Sequence, residues 1–155
     1  HADDIAFATQ LMISPSVLRA HLFPWYKEMV RVAHERGRLS VYHSDGALQR
    51  VMDDIIGCGF DGLNPIEPKA MDIVEVKRQY GDRIAILGNI DLGYTLTRGT
   101  PDEVREEVRQ RIRDLAPGGG YAVASSNSVP EYVPLANFRA MRDATLEFGR
   151  YPINC

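Results

Sequence analysis

The feature that most limits the fold of this chain is a regular alternation of short apolar runs with amphipathic segments. The runs are "RLSVYH", "FDGLN", "RIAILGNID" and "YAVASSN", and each precedes a stripe of apolar residues at three- and four-residue spacing. Strands that alternate with helices form parallel sheets joined by crossover helices. The sequence therefore predicts an α/β fold with about four parallel strands and alternating helices, preceded by a helix that begins at Pro15.

Individual residues indicate where several helices begin or break. Ser14 is a capping residue type and Pro15 suits a first helical turn, whereas Pro24 should kink or split the following helix. The segment 100–103 reads "TPDE", which is the pattern of a capping box. An amphipathic segment from 134 to 148 is predicted as the last helix.

Two architectures share this alternation, namely an open doubly wound sheet and a part of a (β/α)8 barrel. A nucleotide-binding doubly wound sheet carries a glycine-rich turn directly after its first strand, at the start of a helix. In this chain the glycine-rich stretch "PGGGY" precedes a strand, so we interpret its glycines as tight-turn residues. The fingerprint of a dinucleotide-binding sheet is therefore missing.

Polar residues follow all four predicted strands. They are His43 and Asp45, Asn64 and Glu67, Asn89 and Asp91, and Ser126 and Asn127. Asn and Asp favour turns and helix caps, so each one alone has a structural explanation. Catalytic groups of barrels gather at the carboxyl ends of the strands, and four such ends in succession favour a site. We expect the sheet to follow sequence order, with His43, Glu67, Asp91 and Asn127 at one end.

We interpret these residues as candidates with different roles. His43 and Asp45 are the candidate catalytic residues, because an imidazole and a carboxylate can move protons or bind metal. The candidate substrate-binding residues are Asn64, Glu67, Asn89, Asp91, Ser126 and Asn127.

Composition excludes several classes of partner. The net charge is -3, and the arginines of "VREEVRQRIRDL" alternate with glutamates, so a nucleic-acid partner is not expected. No apolar run approaches the roughly 18 residues of a membrane span, and no signal peptide is present, so we expect a cytoplasmic protein without a membrane partner. Cys58 and Cys155 stand too far apart for a cysteine zinc motif, and Cys58 is interpreted as a buried core residue.

Several motifs together resemble the carboxyl-terminal half of the uroporphyrinogen decarboxylase superfamily. They are "HSDG", "GFDGLNPIEPKAMD", "LGNID", "GTPDEVREEVRQRI", "APGGGYAVASSNSVP" and "VPLANFRAM", in that order. The resemblance implies a (β/α)8 TIM barrel, of which residues 1–155 form a single partial domain. "HADDIAF" would match the end of the fourth barrel strand, so the first half of the barrel is expected to lie outside this sequence.

The resemblance includes cobalamin-linked methyltransferases, which bind zinc through a His-x-Cys pair and a distant cysteine. This chain keeps the histidine as His43, but Asp45 stands in place of the cysteine and Ser126 or Asn127 falls near the distant one. The resemblance then implies that His43, Asp45 and Glu67 could hold zinc or another divalent metal through nitrogen and oxygen. In the alternative interpretation, Asp45 caps the next helix and His43 is a hydrogen-bonded rim residue.

The resemblance also includes porphyrinogen decarboxylases, which need no cofactor. Their substrate-contacting histidine would fall near Ser126 and Asn127, where this chain has none, although Asp45, Glu67 and Asp91 could stabilise a cationic pyrrole. The first expectation is methyl transfer from a methoxylated or methylated small molecule in a corrinoid-linked pathway, with a corrinoid protein as partner. The alternatives are uroporphyrinogen decarboxylation in porphyrin biosynthesis, and a structural or binding piece without catalysis of its own.

A partial barrel also predicts assembly. Val41, Leu63, Ile86 and Val123 belong to apolar runs that a whole barrel would cover on both faces. Four strands alone are not expected to cover them, and unpaired sheet edges and apolar surface attract partners. We therefore expect a homodimer.

Overall fold

The computed structural model describes residues 1–155. Its helices are α1 (Pro15–His21), α2 (Phe23–Glu35), α3 (Met52–Gly57), α4 (Ile73–Tyr80), α5 (Thr95–Arg98), α6 (Pro101–Leu115) and α7 (Leu135–Phe148). Its strands are β1 (Val41–His43), β2 (Gly62–Asn64), β3 (Ala85–Leu87) and β4 (Tyr121–Ala122), and a 3₁₀ turn (Gln49–Val51) precedes α3. No helix is long and apolar enough to cross a membrane.

The four strands form one parallel sheet in the order β1-β2-β3-β4. The amino-terminal segment extends this sheet beyond β1, because Ala2 forms a parallel bridge with His43 and the amide of His43 donates to the carbonyl of His1. Ile90 and Ser125 form a further parallel bridge just beyond β3 and β4. The predicted α/β fold, with strands in sequence order and helices between them, is confirmed.

The helices begin where local sequence predicts. The side chain of Ser14 accepts a hydrogen bond from the amide of Val17, and Pro24 lies in the first turn of α2, which splits the predicted helix in two. Both hydrogen bonds of the capping box are present between Thr100 and Glu103 at the start of α6. Helix α5 was not predicted, because its four residues are too few to show a helical period.

The buried residues form two clusters. The larger one has 22 residues and lies between the first three strands and helices α1 to α4. In it, Tyr42 stacks on Phe60 with ring centroids 5.1 Å apart, and Cys58 is buried as expected. The smaller cluster has eight residues and lies around α5, α6 and α7. These clusters fix the strands, and so fix the loops that leave their carboxyl ends.

One expectation about strand burial is wrong in part. Leu63 and Ile86 are both 0% exposed within this single chain, although they were expected to need a partner. Successive strand residues point to opposite faces, and these two point towards the helices. Val41, which points to the other face of β1, is 36% exposed, and the preceding Leu39 is 82% exposed. Apolar surface is therefore left uncovered at Val41, on the face of the sheet opposite to these helices, and at Leu39 just before β1.

Candidate functional site

The carboxyl ends of the four strands lie at the same end of the sheet, because all of the strands are parallel. A cavity of about 140 Å³ opens there. It is lined by Asp45, Glu67, Pro68, Lys69, Asp91, Leu92, Gly93, Ser126 and Asn127. The structure thus brings together residues from four strand ends that are up to 82 positions apart in sequence.

His43 ends β1 and is half-buried. The sheet register places it directly beside Asn64 of β2, and its Nδ1 lies 2.7 Å from Asn64 Oδ1. Asn64 in turn donates from Nδ2 to the carbonyl of Leu87 in β3, at 3.3 Å. These contacts leave Nε2 as the ring nitrogen of His43 that is free to bind a ligand.

Asp45 contacts both another acidic residue and a hydrogen-bond donor. Its backbone amide donates to Asp4 Oδ1 at 2.9 Å, and its Oδ2 accepts a hydrogen bond from Asn127 Nδ2 at 2.5 Å. Its other oxygen, Oδ1, is buried and has no hydrogen-bond partner. Asp4, His43 and Asp45 each offer one ligand atom, and these three atoms lie within 4.8 Å of one another. This group is a candidate metal site.

The surroundings of Asp45 raise its pKa. Burial disfavours the charged carboxylate, and the negative charges of Asp4 and Glu67 add to this effect. The charge of His43 and the hydrogen bond from Asn127 act in the opposite direction. A raised pKa means that the ionised form of Asp45 destabilises the metal-free folded state above that pKa.

We expect the substitution Asp45→Asn to raise the free energy of unfolding of the metal-free protein at neutral pH. The gain should be at most about 1 kcal/mol, because solvent screens a half-buried group. It should shrink as the pH falls towards about 4 and disappear below about 3, where the carboxyl group is protonated in both the folded and the unfolded state. Urea unfolding at several pH values, with a chelator present, measures this difference.

Asp82→Asn is the matched control, because Asp82 is an exposed residue in a turn and its substitution should change little. A loss of stability in Asp45→Asn at neutral pH would contradict the account of Asp45.

Glu67 lies in the cavity lining beside Asp45, Asp91 and Asn127. Its Oε2 accepts a hydrogen bond from the amide of Gly46 at 2.9 Å, which ties the loop after β2 to the loop after β1. The preceding residue, Ile66, is fully buried with φ of 57°, a backbone conformation that β-branched residues rarely adopt. The structure does not bring Glu67 into the group of three ligand atoms, in which Asp4 stands instead.

Three other candidate residues hold loops in place. Asn89 is 1% exposed and donates to the carbonyl of Ile66 at 2.6 Å. The two carboxylate oxygens of Asp91 accept hydrogen bonds from the next turn, from the amides of residues 93 and 94. Ser126 is 7% exposed, and its hydroxyl accepts a hydrogen bond from the amide of Leu92 at 3.0 Å. These contacts shape the rim of the cavity.

Sequence reasoning missed three residues near the site. Asp4 stood in a segment matched to a strand end but was not selected, and its approach to Asp45 depends on the pairing of residues 1–3 with β1. Lys69 brings a positive charge to the cavity lining. Glu107 of α6 accepts a hydrogen bond from the amide of Asp91 at 3.1 Å, a contact between separate elements without a local sequence signal.

Comparison with known proteins decides the family. The family model described as "Uroporphyrinogen decarboxylase (URO-D)" matches residues 2–148. The chain belongs to the uroporphyrinogen decarboxylase family. The predicted resemblance is therefore confirmed, and it extends over nearly all of the chain.

Within this family, the chain is similar to a methylcobamide:CoM methyltransferase of Methanosarcina barkeri. The two are 28% identical over 151 residues, which make up 95% of this chain and 42% of the methyltransferase. A uroporphyrinogen decarboxylase of Pseudoalteromonas translucida is 29% identical over 93 residues, or 60% of this chain and 25% of that enzyme.

A solved structure supports the fold of this family member. The structure of a methyltransferase from Methanosarcina mazei superposes with a TM-score of 0.77 at 26% identity, covering 96% of this chain and 41% of that one. Four parallel strands with alternating helices, matched to such a structure, are consistent with part of a TIM barrel. The chain spans about two fifths of the length of the methyltransferases that it matches.

Proposed function

We propose that this family member takes part in methyl transfer in a corrinoid-linked pathway, with a methoxylated or methylated small molecule as substrate. The observation that carries the proposal is the match to a methylcobamide:CoM methyltransferase across 95% of this chain. A corrinoid protein as partner, a cytoplasmic location, and residues 1–155 as one partial barrel domain belong to the same proposal. It rests on family membership for the reaction and on the strand-end residues for the site.

The donor atoms at the strand ends fit a divalent metal ion. Asp4, His43 and Asp45 offer oxygen, nitrogen and oxygen, and the unpartnered Oδ1 of Asp45 is a buried acceptor that a cation would satisfy. A thiolate site does not fit, because the three candidate ligands include no cysteine. Cys58 lies in the core, where burial raises the pKa of its thiol to about 11. We therefore propose a site for zinc or another divalent ion with hard or borderline ligands.

The residues of the chain have separable tasks in this proposal. A divalent ion held by Asp4, His43 and Asp45 would supply Lewis acidity, which lowers the pKa of a bound hydroxyl or thiol. Asn127 holds one oxygen of Asp45 by its side-chain amide. Glu67 holds the loop that carries Asp45, through the amide of Gly46.

Decarboxylation of uroporphyrinogen, which would need no cofactor, is the second candidate. It is favoured by the similarity to uroporphyrinogen decarboxylases, which covers 60% of this chain or less in the two relatives compared. The cavity carries Asp45, Glu67 and Asp91 against a single lysine, and such a lining repels a substrate with many carboxylates. Methyl transfer is therefore the stronger proposal.

The third candidate is a piece without catalysis of its own, which gives structure or binding to a larger assembly. The chain covers 42% of the methyltransferase relative, so groups outside this sequence would complete the cavity. An activity assay separates this candidate from methyl transfer and from decarboxylation.

The test joins this chain to the amino-terminal segment of the Methanosarcina barkeri methyltransferase and measures two reactions. We expect methyl transfer between a cobalamin and a small acceptor or donor, lost in the His43→Ala form and retained in His34→Ala. His34 is a suitable control because it pairs with Asp61 at the start of β2, at the opposite end of the sheet. Porphyrinogen decarboxylation without methyl transfer would favour the second candidate, and the absence of both reactions would favour the third.

We also propose that the chain forms a homodimer through the open face and edge of its sheet. Val41 lies exposed on the face opposite to the helices and Leu39 lies exposed just before β1, and burial of apolar surface contributes about 25 cal/mol per Å² before association costs are subtracted. Sedimentation at micromolar concentration is expected to give the mass of a dimer. A well-dispersed monomer with cooperative unfolding would contradict this expectation.

A further inference from the structure

Asn64 connects three strands through its side chain. The parallel register of β1 and β2 sets Asn64 directly beside His43, and the amide oxygen lies 2.7 Å from His43 Nδ1. The amide nitrogen donates to the backbone carbonyl of Leu87 in β3, at 3.3 Å. The side chain is half-buried, and both of its polar atoms form hydrogen bonds within the sheet.

The contact with Leu87 determines which way the amide of Asn64 points. A backbone carbonyl can only accept, so the amide atom that faces it must be the donor Nδ2. The opposite orientation would set Oδ1 against the carbonyl oxygen of Leu87, with two acceptors in contact. Oδ1 of Asn64 therefore faces His43, and because it can only accept a hydrogen bond, Nδ1 of His43 must be the donor.

We propose that Asn64 is a positioning residue that holds the neutral imidazole of His43 in the tautomer with its proton on Nδ1. The lone pair of the ring is then on Nε2, which is the nitrogen that can bind a metal ion or accept a proton. Asn64 thereby acts through His43 and does not contact substrate, in contrast to the substrate-binding role expected for it from sequence. The consequence for metal binding rests on the proposed function, whereas the tautomer itself does not.

Buried histidine ligands commonly donate the hydrogen on their second nitrogen to a nearby acceptor, which fixes the ring and improves the ligand. Here the acceptor is held by the neighbouring strand and is itself fixed by the third strand. The arrangement uses backbone register between β1, β2 and β3.

Nitrogen-15 NMR of the histidine rings tests the tautomer directly, at alkaline pH where imidazoles are neutral. In the wild-type protein we expect the protonated nitrogen of His43 to be Nδ1. In Asn64→Leu, which removes the acceptor, we expect the proton to move largely to Nε2. In Asn64→Asp, which keeps an acceptor oxygen beside His43, the Nδ1 proton should remain. His34 serves as an internal control, because it is bound by Asp61 and should be unchanged.

Metal titration of the same variants gives the second readout. We expect Zn²⁺ affinity to fall by about 10- to 100-fold in Asn64→Leu and to stay within a few-fold of the wild-type affinity in Asn64→Asp.

A proton on Nε2 of His43 in the wild-type protein would overturn the proposal, as would an unchanged tautomer in folded Asn64→Leu. If Asn64→Leu fails to fold, Nε2 protonation in Asn64→Asp would overturn it. The expected tautomers without any metal binding would refute the proposed metal site and support the role of Asn64.

Discussion

Replacing Gly46 by alanine is expected to lower the free energy of unfolding by about 2–4 kcal/mol. Gly46 has φ of 90°, which residues with a side chain rarely adopt. A Cβ atom there would lie 2.5 Å from the carbonyl oxygen of Ala6 and 2.7 Å from that of Phe7. The backbone of Phe7 cannot easily retreat, because its carbonyl accepts a hydrogen bond from Ala47. Urea unfolding measures the loss.

Gly37→Ala is the matched control for this prediction. Gly37 has φ of 65°, but a Cβ atom on it would meet nothing within 4 Å. Its substitution should cost about 1 kcal/mol, from backbone strain alone. Equal losses in the two variants would mean that close packing of residues 6–7 against the loop after β1 does not limit this turn.

Removing either His43 or Asp45 as a ligand is expected to weaken Zn²⁺ binding by about 100-fold or more, because loss of a direct ligand exceeds loss of its supporting contacts. The variants are His43→Ala and Asp45→Asn, and the second keeps the size of the side chain and a carbonyl oxygen for Asn127. Competition with a chromophoric chelator measures the affinities.

The control for metal binding is His34→Ala, which removes another partly exposed histidine that contacts a carboxylate, at 2.8 Å from Asp61. Its affinity should stay within about two-fold of wild type, because His34 lies outside the candidate site. An equal loss in His34→Ala would indicate binding by scattered surface residues and would refute the proposed site.

Much of the fold could be predicted because its signals are local. Apolar runs located the four strands, and residues 100–103 located the start of α6, since both depend only on neighbouring residues. The order of the strands followed from the preference of consecutive parallel strands to lie side by side. The burial of Leu63 and Ile86 was misjudged, because an apolar run does not show which face the chain covers with its own helices.

The candidate site was less predictable because its geometry depends on pairing between distant segments. The sequence placed Asp91 at a strand end. It could not show that the carboxylate of Asp91 accepts hydrogen bonds from the backbone amides of the next turn. Asp4 approaches Asp45 because residues 1–3 pair with β1. A resemblance between sequences does not show such a contact between two distant segments. Asn64 was selected correctly as a strand-end residue, whereas its contact with His43 depends on sheet register.

X-ray absorption at the zinc edge of the zinc-loaded protein tests the central claim most directly, namely that Asp4, His43 and Asp45 hold a divalent ion without a thiolate. The account predicts only nitrogen and oxygen neighbours, at about 2.0–2.2 Å, with an imidazole signal that disappears in His43→Ala. A sulfur neighbour at about 2.3 Å would contradict it, because sulfur would have to come from Cys58 or Cys155, which lie outside the candidate site.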